Sequence, residues 1–232
     1  LSANIYANLV QELYVAYFGR PADPQGLVNM EAALAAVDAS TSAGGLMQAY
    51  GSNAAVKAIV DSFGTSQESQ ALYGTGNAEA FVTSVFESLF NRAPMASGLQ
   101  FWSGAIESGS LSMGEAALNI MSAASTPDAA TVAAKVTVAE SFTTSMSDGP
   151  GNNYPVDEYQ GAIAADIARS LLSGVTSADV SRYLADSYVP VALNDISVLV
   201  TAPLETVLAR KFHADREKGV GEIVQPRVNA GA

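Results

Sequence analysis

Cysteine is missing from the 232-residue chain, which removes disulfides, thiolate catalysis and Cys-ligated zinc together. Histidine occurs once, at His213, so zinc held by several imidazoles is excluded as well. A Ser-His-Asp triad would have to recruit that single imidazole from beside the chain end, and no Gly-x-Ser-x-Gly elbow accompanies it. His213 therefore reads as a surface residue, no catalytic residue is assigned, and the chain is not expected to be an enzyme. No apolar run approaches the ~20 residues needed to span a bilayer. Leu1 is not followed by a basic segment and an apolar stretch of the signal-peptide kind, which leaves three routes open: a signal already removed, a signal elsewhere, or retention inside the cell.

Charge is also scarce, at 15% of residues against 49% hydrophobic, and lysine occurs only four times. Solubility must rest on Ser, Thr, Asn, Gln and Gly, a balance unusual for a cytoplasmic protein and familiar in secreted and surface-layer proteins. The formal net charge of −12 repels phosphate backbones and anionic lipid, so no nucleic-acid partner is expected. Calcium, or a partner carrying it, suits such a surface better, and no other cofactor is expected.

An internal repeat organises the first half. The run Leu13-Tyr14-Val15-Ala16-Tyr17-Phe18-Gly19-Arg20-Pro21-Ala22-Asp23-Pro24-Gln25-Gly26-Leu27 returns 72 positions later as Val85-Phe86-Glu87-Ser88-Leu89-Phe90-Asn91-Arg92-Ala93-Pro94-Met95-Ala96-Ser97-Gly98-Leu99. Phe18/Phe90, Arg20/Arg92, Gly26/Gly98 and Leu27/Leu99 are identical, and Met30/Trp102 and Leu34/Ile106 keep the offset. In the first copy Leu9, Leu13, Tyr14, Tyr17 and Phe18 recur at helical spacing and predict a helix stopping at Gly19. Asp23 is placed to cap a second helix whose first residue is Pro24, with Leu27, Met30 and Leu34 on its buried stripe. The second copy repeats the stripe with Leu99, Trp102 and Ile106. There Met95 replaces the capping Asp, and Ser97 is the candidate cap.

These residues carry a resemblance. The Leu-Tyr, Gly-Arg and Asp-Pro-x-Gly-Leu elements at Leu13-Tyr14, Gly19-Arg20 and Asp23–Leu27 are similar to the signature of the DUF4214 family, in which a Trp follows, and Ser66-Gln67-Glu68-Ser69 is similar to its serine-glutamate segment. The resemblance covers roughly residues 5 to 145 in two copies. It implies a secreted bacterial surface protein, surface-layer-like, whose helical modules link larger assemblies, and it brings no catalytic residues. Met30 stands where the family has Trp. The glycine-aspartate nonapeptides that bind calcium in many large relatives are absent.

Further helices are predicted over 54–63, 78–90, 113–124 and 129–146, with small-residue loops at 40–45 and 73–77. The segment 147–155 holds two Pro and two Gly and marks a boundary. Helices over 157–172, 177–188 and 191–212 follow, limited or kinked by Pro190 and Pro203. The expected organisation is all-α: a duplicated helix-loop-helix domain over 1–147 (copies about 5–75 and 77–146) forming a multi-helix bundle or short solenoid, a smaller C-terminal helical module over 156–213, and an extended tail over 214–232.

Candidate site residues are few. Arg20, Asp23, Gly26, Arg92, Gly98 and Trp102 form the repeated structural motif; Asp23 and Arg20 read as a helix cap and a loop-fixing charge rather than a sugar or ion contact. Tyr14, Phe18, Phe90 and Trp102 sit on apolar stripes and read as core rather than sugar platform. Asp148, Asn152 and Asn153 are the candidate calcium ligands, without EF-hand order. Asp157, Glu158 and Asp166 are the carboxylates a glycosidase would draw on, but abundance is not pairing. Arg210, Lys211, Arg216, Lys218 and Arg227 place nearly half the basic charge in the last 23 residues and suggest an arm reaching the acidic body of a neighbouring copy. The expected function is an extracellular structural protein that self-assembles, or joins a surface-layer, filament or biofilm-matrix assembly. The competing expectation is a surface-anchoring module binding polysaccharide or lipopolysaccharide, bridged by calcium.

Overall fold

The computed structural model describes residues 3–74, 76–147, 161–184 and 188–201, and these form an all-α multi-helix bundle with no strand among them. A 3-10 turn (Ala3–Tyr6) leads into α1 (Ala7–Phe18), α2 (Pro24–Ala36), α3 (Ala43–Tyr50), α4 (Ala54–Thr65) and α5 (Gln67–Tyr73). The second stretch holds α6 (Ala78–Phe90), α7 (Ala96–Glu107), α8 (Met113–Ser122) and α9 (Asp128–Ser147). Then come α10 (Ala162–Leu172), α11 (Val180–Leu184) and α12 (Tyr188–Thr201). Among the described residues no helix is long and apolar enough to cross a membrane.

Local chemistry sets the helix ends. Gly19 closes α1 in the left-handed region (φ 65°), donating its N–H to Val15 O, and Asn91 closes α6 in the same way (φ 56°), donating to Glu87 O. Asp23 caps α2 by accepting the Gly26 N–H at 2.7 Å, with Pro24 at the first helical position. Ser42, Asn53, Ser66, Asn77 and Ser112 cap α3, α4, α5, α6 and α8 through their side chains. The equivalent start at α7 has no side-chain cap, and Met95 occupies the cap position. Ser97 does not supply the bond expected of it, because it lies inside the first turn rather than ahead of it.

Other expectations are corrected at their boundaries. The loop expected over 40–45 ends early, since Ser42 starts α3 and Ala43, Gly44 and Gly45 form its first turn. The helix expected over 177–188 is a short α11, and Tyr188 opens α12 instead. Pro190 sits in the first turn of α12, where its missing N–H leaves no intrahelical bond unmade. Residues 157–160, 185–187 and everything past 201 lie outside the described residues, as do the tail and most of the Pro/Gly boundary.

The core is built around α1 and α9. Every α1 side chain from Gln11 to Phe18 except Glu12 is buried, including Leu13, Tyr14, Val15, Ala16, Tyr17 and Phe18. α9 packs against α1, α2, α6, α10, α11 and α12, so it buries a broad face that includes Val132, Lys135, Val138, Phe142 and Met146 and leaves Ala133, Thr137 and Thr144 exposed on the opposite side. Tyr14, Tyr17, Phe18 and Phe63 form an aromatic cluster with ring centroids 4.8 to 6.5 Å apart. A buried polar link between α1, α9 and the α1–α2 loop crosses this core. Gln11 Nε2 donates to Thr143 Oγ1 at 2.8 Å, Thr143 Oγ1 lies 2.6 Å from Ala22 O, and the Ala22 N–H donates to Gln11 Oε1 at 2.9 Å, which fixes the α1–α2 loop.

The paired glycines of the motif have different surroundings. A Cβ at Gly26 would run into Tyr14 Oη and the Asp23 carboxylate, while a Cβ at Gly98 meets nothing within 4 Å. Gly26→Ala is therefore expected to lower stability by about 1–3 kcal/mol through overpacking. Gly98→Ala should raise it by up to about 1 kcal/mol through helix propensity. Thermal unfolding of the two variants checks the pair, and shifts of the same sign would contradict this reading.

Candidate functional site

The two Arg loops repeat their local geometry. Arg20 lies 5.2 Å from the Tyr14 ring centre and 5.4 Å from that of Phe18, and its NH1 donates to Pro21 O. Arg92 lies 5.3 Å from Phe86 and 5.4 Å from Phe90, and its NH1 donates to Ala93 O. The aromatic pairs differ by the same 72 positions as the arginines.

The carboxylates they choose are not equivalent. Arg20 grips Glu68 through two nitrogens, at 2.7 and 2.6 Å, and Arg169 from α10 reaches the same carboxylate at 2.9 Å. Burial alone would raise Glu68, but the hydrogen bonds and charges of Arg20 and Arg169 outweigh it and hold the carboxyl below its usual range. Arg92 instead holds Asp128 at 2.6 and 3.1 Å, in a more exposed setting. Glu140, which stands 72 positions after Glu68, is raised by burial. Asp23 lies 3.7 Å from Arg20, and burial, with the Asp23 charge adding to it, pushes the Tyr14 phenol up to about 12. The motif residues Arg20 and Asp23 thus fasten a loop, and their geometry is accounted for by capping and ion pairing.

A second polar cluster joins the two copies. Asp61 Oδ1 accepts from Tyr50 Oη at 2.7 Å and from Ser112 Oγ at 2.6 Å, while Lys57 Nζ donates to Asp61 Oδ2 at 2.8 Å and to Tyr50 Oη at 2.6 Å. Burial tends to raise Asp61, yet these donors together hold it below its usual range. That makes it a poor general base. Ser112 Oγ is also the cap of α8, accepting the Glu115 N–H at 2.9 Å, so the cluster works as a strut rather than as nucleophile and base. Asp166, the one described member of the glycosidase trio, pairs with Arg169 at 3.1 Å. Asp157, Glu158 and His213 lie outside the described residues. So do Asp148, Asn152 and Asn153, and the cations Arg210, Lys211, Arg216, Lys218 and Arg227. Among the described residues no group of His, Cys, Asp and Glu is arranged to hold a metal.

The surface that the polar groups leave unexplained is α7. Only Ser103 of its twelve residues is buried. Phe101 is 64% exposed and Met95, at the cap, 75%. Trp102 is half-buried with its ring centre 4.9 Å from that of Phe101, and Gly98 and Gly104 open onto free space. α2 stands at the equivalent place in the first copy and packs against the 3-10 turn, α1, α4 and α9, whereas α7 packs against α6 and α8. The sequence pattern placed Trp102 on a stripe but missed Phe101 and Met95. An apolar residue adjacent to the stripe, in a helix with no charge before Glu107, was the available signal.

No curated protein and no solved structure matches the chain. The range 60–126, from within α4 to just past α8, matches the family described as a domain of unknown function, DUF4214. It takes in Ser66–Ser69, the second Arg loop and α7, and it is narrower than the two-copy resemblance in the sequence. The chain carries a DUF4214 domain.

Proposed function

We propose that this protein is a structural component of a bacterial exterior that assembles with further copies of itself, and that α7 is the face through which it does so. One observation carries the reading: a helix in the heart of the DUF4214 match presents Met95 and Phe101 to solvent beside a half-buried Trp102. Repeated helical units bury such faces against the next unit, and a unit that ends an array is normally given a polar outer surface. α7 lacks that surface. The first copy supports a second chain as the occupant, because there the chain itself supplies the segments that cover the equivalent helix. The open Gly98 and Gly104 positions allow close backbone approach, with Phe101 as the central anchor. The basic run Arg210 to Arg227 is a further contact in this reading, attracted by a body of opposite charge. Secretion and a place in a surface layer, filament or matrix belong to the same proposal and follow from composition and the family resemblance.

Sedimentation velocity tests it. The full chain is expected to show association that grows with concentration, and Met95→Ser/Phe101→Ser is expected to weaken it at least tenfold, a loss of about 1.4 kcal/mol or more. A monomer at every concentration, with or without calcium, would overturn self-assembly. Saturable glycan binding by that monomer would favour the anchoring alternative.

A further inference from the structure

Three of the six cations among the described residues, Arg20, Lys57, Arg92, Lys135, Arg169 and Arg182, line one cavity. They are Arg92, Lys135 and Arg169, and the cavity, of about 440 Å³, lies where the ends of α1 and α6 meet α9 and α10. In a chain of net charge −12 this concentration is uneven. Lys135 is the most buried group there, 1% exposed, and stands 72 positions after the core residue Phe63. Its ammonium donates to Ser88 O at 2.5 Å and to Glu87 O at 3.4 Å, at the C-terminal end of α6, and it forms no ion pair among the described residues. An ammonium has a third donor beyond those two. Burial lowers its pKa to about 7. Arg92 and Arg169 are held by Asp128 and by Glu68 and Asp166, but each guanidinium retains N–H groups beyond those bonds. Ser84, Ser88 and Ser173 add hydroxyls to the lining.

We propose that this cavity binds a small oxyanion carried on a hydroxyl-bearing molecule, such as the carboxylate of an acidic sugar, with Lys135, Arg92 and Arg169 supplying the countercharge and the serines meeting the hydroxyls. The site is separate from α7 and stands whether or not that face drives assembly. The charged groups around Lys135 are Glu87 on α6, exposed, the Arg92–Asp128 pair, and the Arg169–Glu68–Asp166 cluster with Arg20 on the far side of Glu68. Lys135, lowered by burial to about 7, changes charge between about pH 6 and pH 8.5.

Calorimetric titration of the full chain with glucuronate, sulfate and glucose tests the proposal, since none of the three changes charge in that range. Glucuronate is expected to bind at about pH 6 and to weaken by up to about 30-fold at about pH 8.5, following the loss of the Lys135 proton. Glucose should not bind. Lys135→Met should abolish glucuronate binding. If that variant fails to fold, NMR of the lysine ε-carbons in the unaltered chain serves instead: glucuronate is expected to raise the Lys135 pKa, whereas a lysine that merely caps α6 would not respond. Equal binding of glucose, binding of sulfate alone, or a Lys135 pKa indifferent to glucuronate would overturn the proposal.

Discussion

Glu68→Ala is expected to destabilise the protein by about 3 kcal/mol, the scale for breaking a buried ion pair from one side. The substitution removes the carboxylate shared by Arg20 and Arg169. Arg20, only 9% exposed, would be left with Asp23 at 3.7 Å and with another guanidinium nearby. Asp128→Ala is the control, since Arg92 is 45% exposed in its side chain and an exposed pair contributes only about 0–1 kcal/mol. Acid sharpens the test. The folded Glu68 lies below its usual pKa, so its contribution is full above the unfolded value of about 4.3 and disappears as pH falls through the folded one. Chemical denaturation of both variants at neutral pH, and of Glu68→Ala down to about pH 3, should show the large gap closing in acid. A loss below about 1 kcal/mol for Glu68→Ala would mean that solvent already screens the cluster.

Lys135 should give the second large effect, with the opposite dependence on pH. Its folded pKa of about 7 lies below the ~10.4 of an unfolded lysine, so the unfolded chain binds more protons between the two values. Stability is lowest below about pH 7 and recovers as pH rises toward about 10. The full difference is of the order of 3–5 kcal/mol. Lys135→Met keeps an apolar stem and removes the charge, so it should be more stable than the parent at about pH 6.5. The gap should narrow by about 3 kcal/mol by pH 10, where the neutral amine still donates to Ser88 and Glu87 and the methionine leaves those carbonyls without it. Denaturant unfolding across that range measures it; parallel curves for the two proteins would show that the ammonium is not desolvated.

The sequence made some elements legible because one local rule sufficed for each. Gly19, Asp23 and Pro24 end and start helices through bonds to their own neighbours, and α1, α6 and α9 follow from apolar spacing. α3 was hidden by Gly44 and Gly45, two poor helix formers that are tolerated because Ser42 caps the turn and Leu46 and Tyr50 pack into the core. Lys135 was illegible as a core residue because a lysine reads as solvated; only its register with Phe63 marks the position as buried. The choice of Glu68 by one Arg and Asp128 by the other was likewise closed to sequence reasoning. It depends on where α9 and α10 pass, and each Arg loop has several acids within reach in the chain. α7 was half legible: its stripe could be read, but whether anything covers its other face is decided by distant elements.

The most direct measurement uses Trp102, the only tryptophan in the chain, which sits on α7 with its ring partly in solvent. If α7 is the assembly face, its emission should shift to the blue and lose access to a soluble quencher as protein concentration rises, and Met95→Ser/Phe101→Ser should abolish both changes. Association detected by light scattering while Trp102 emission stays constant would place the contact elsewhere and contradict the account.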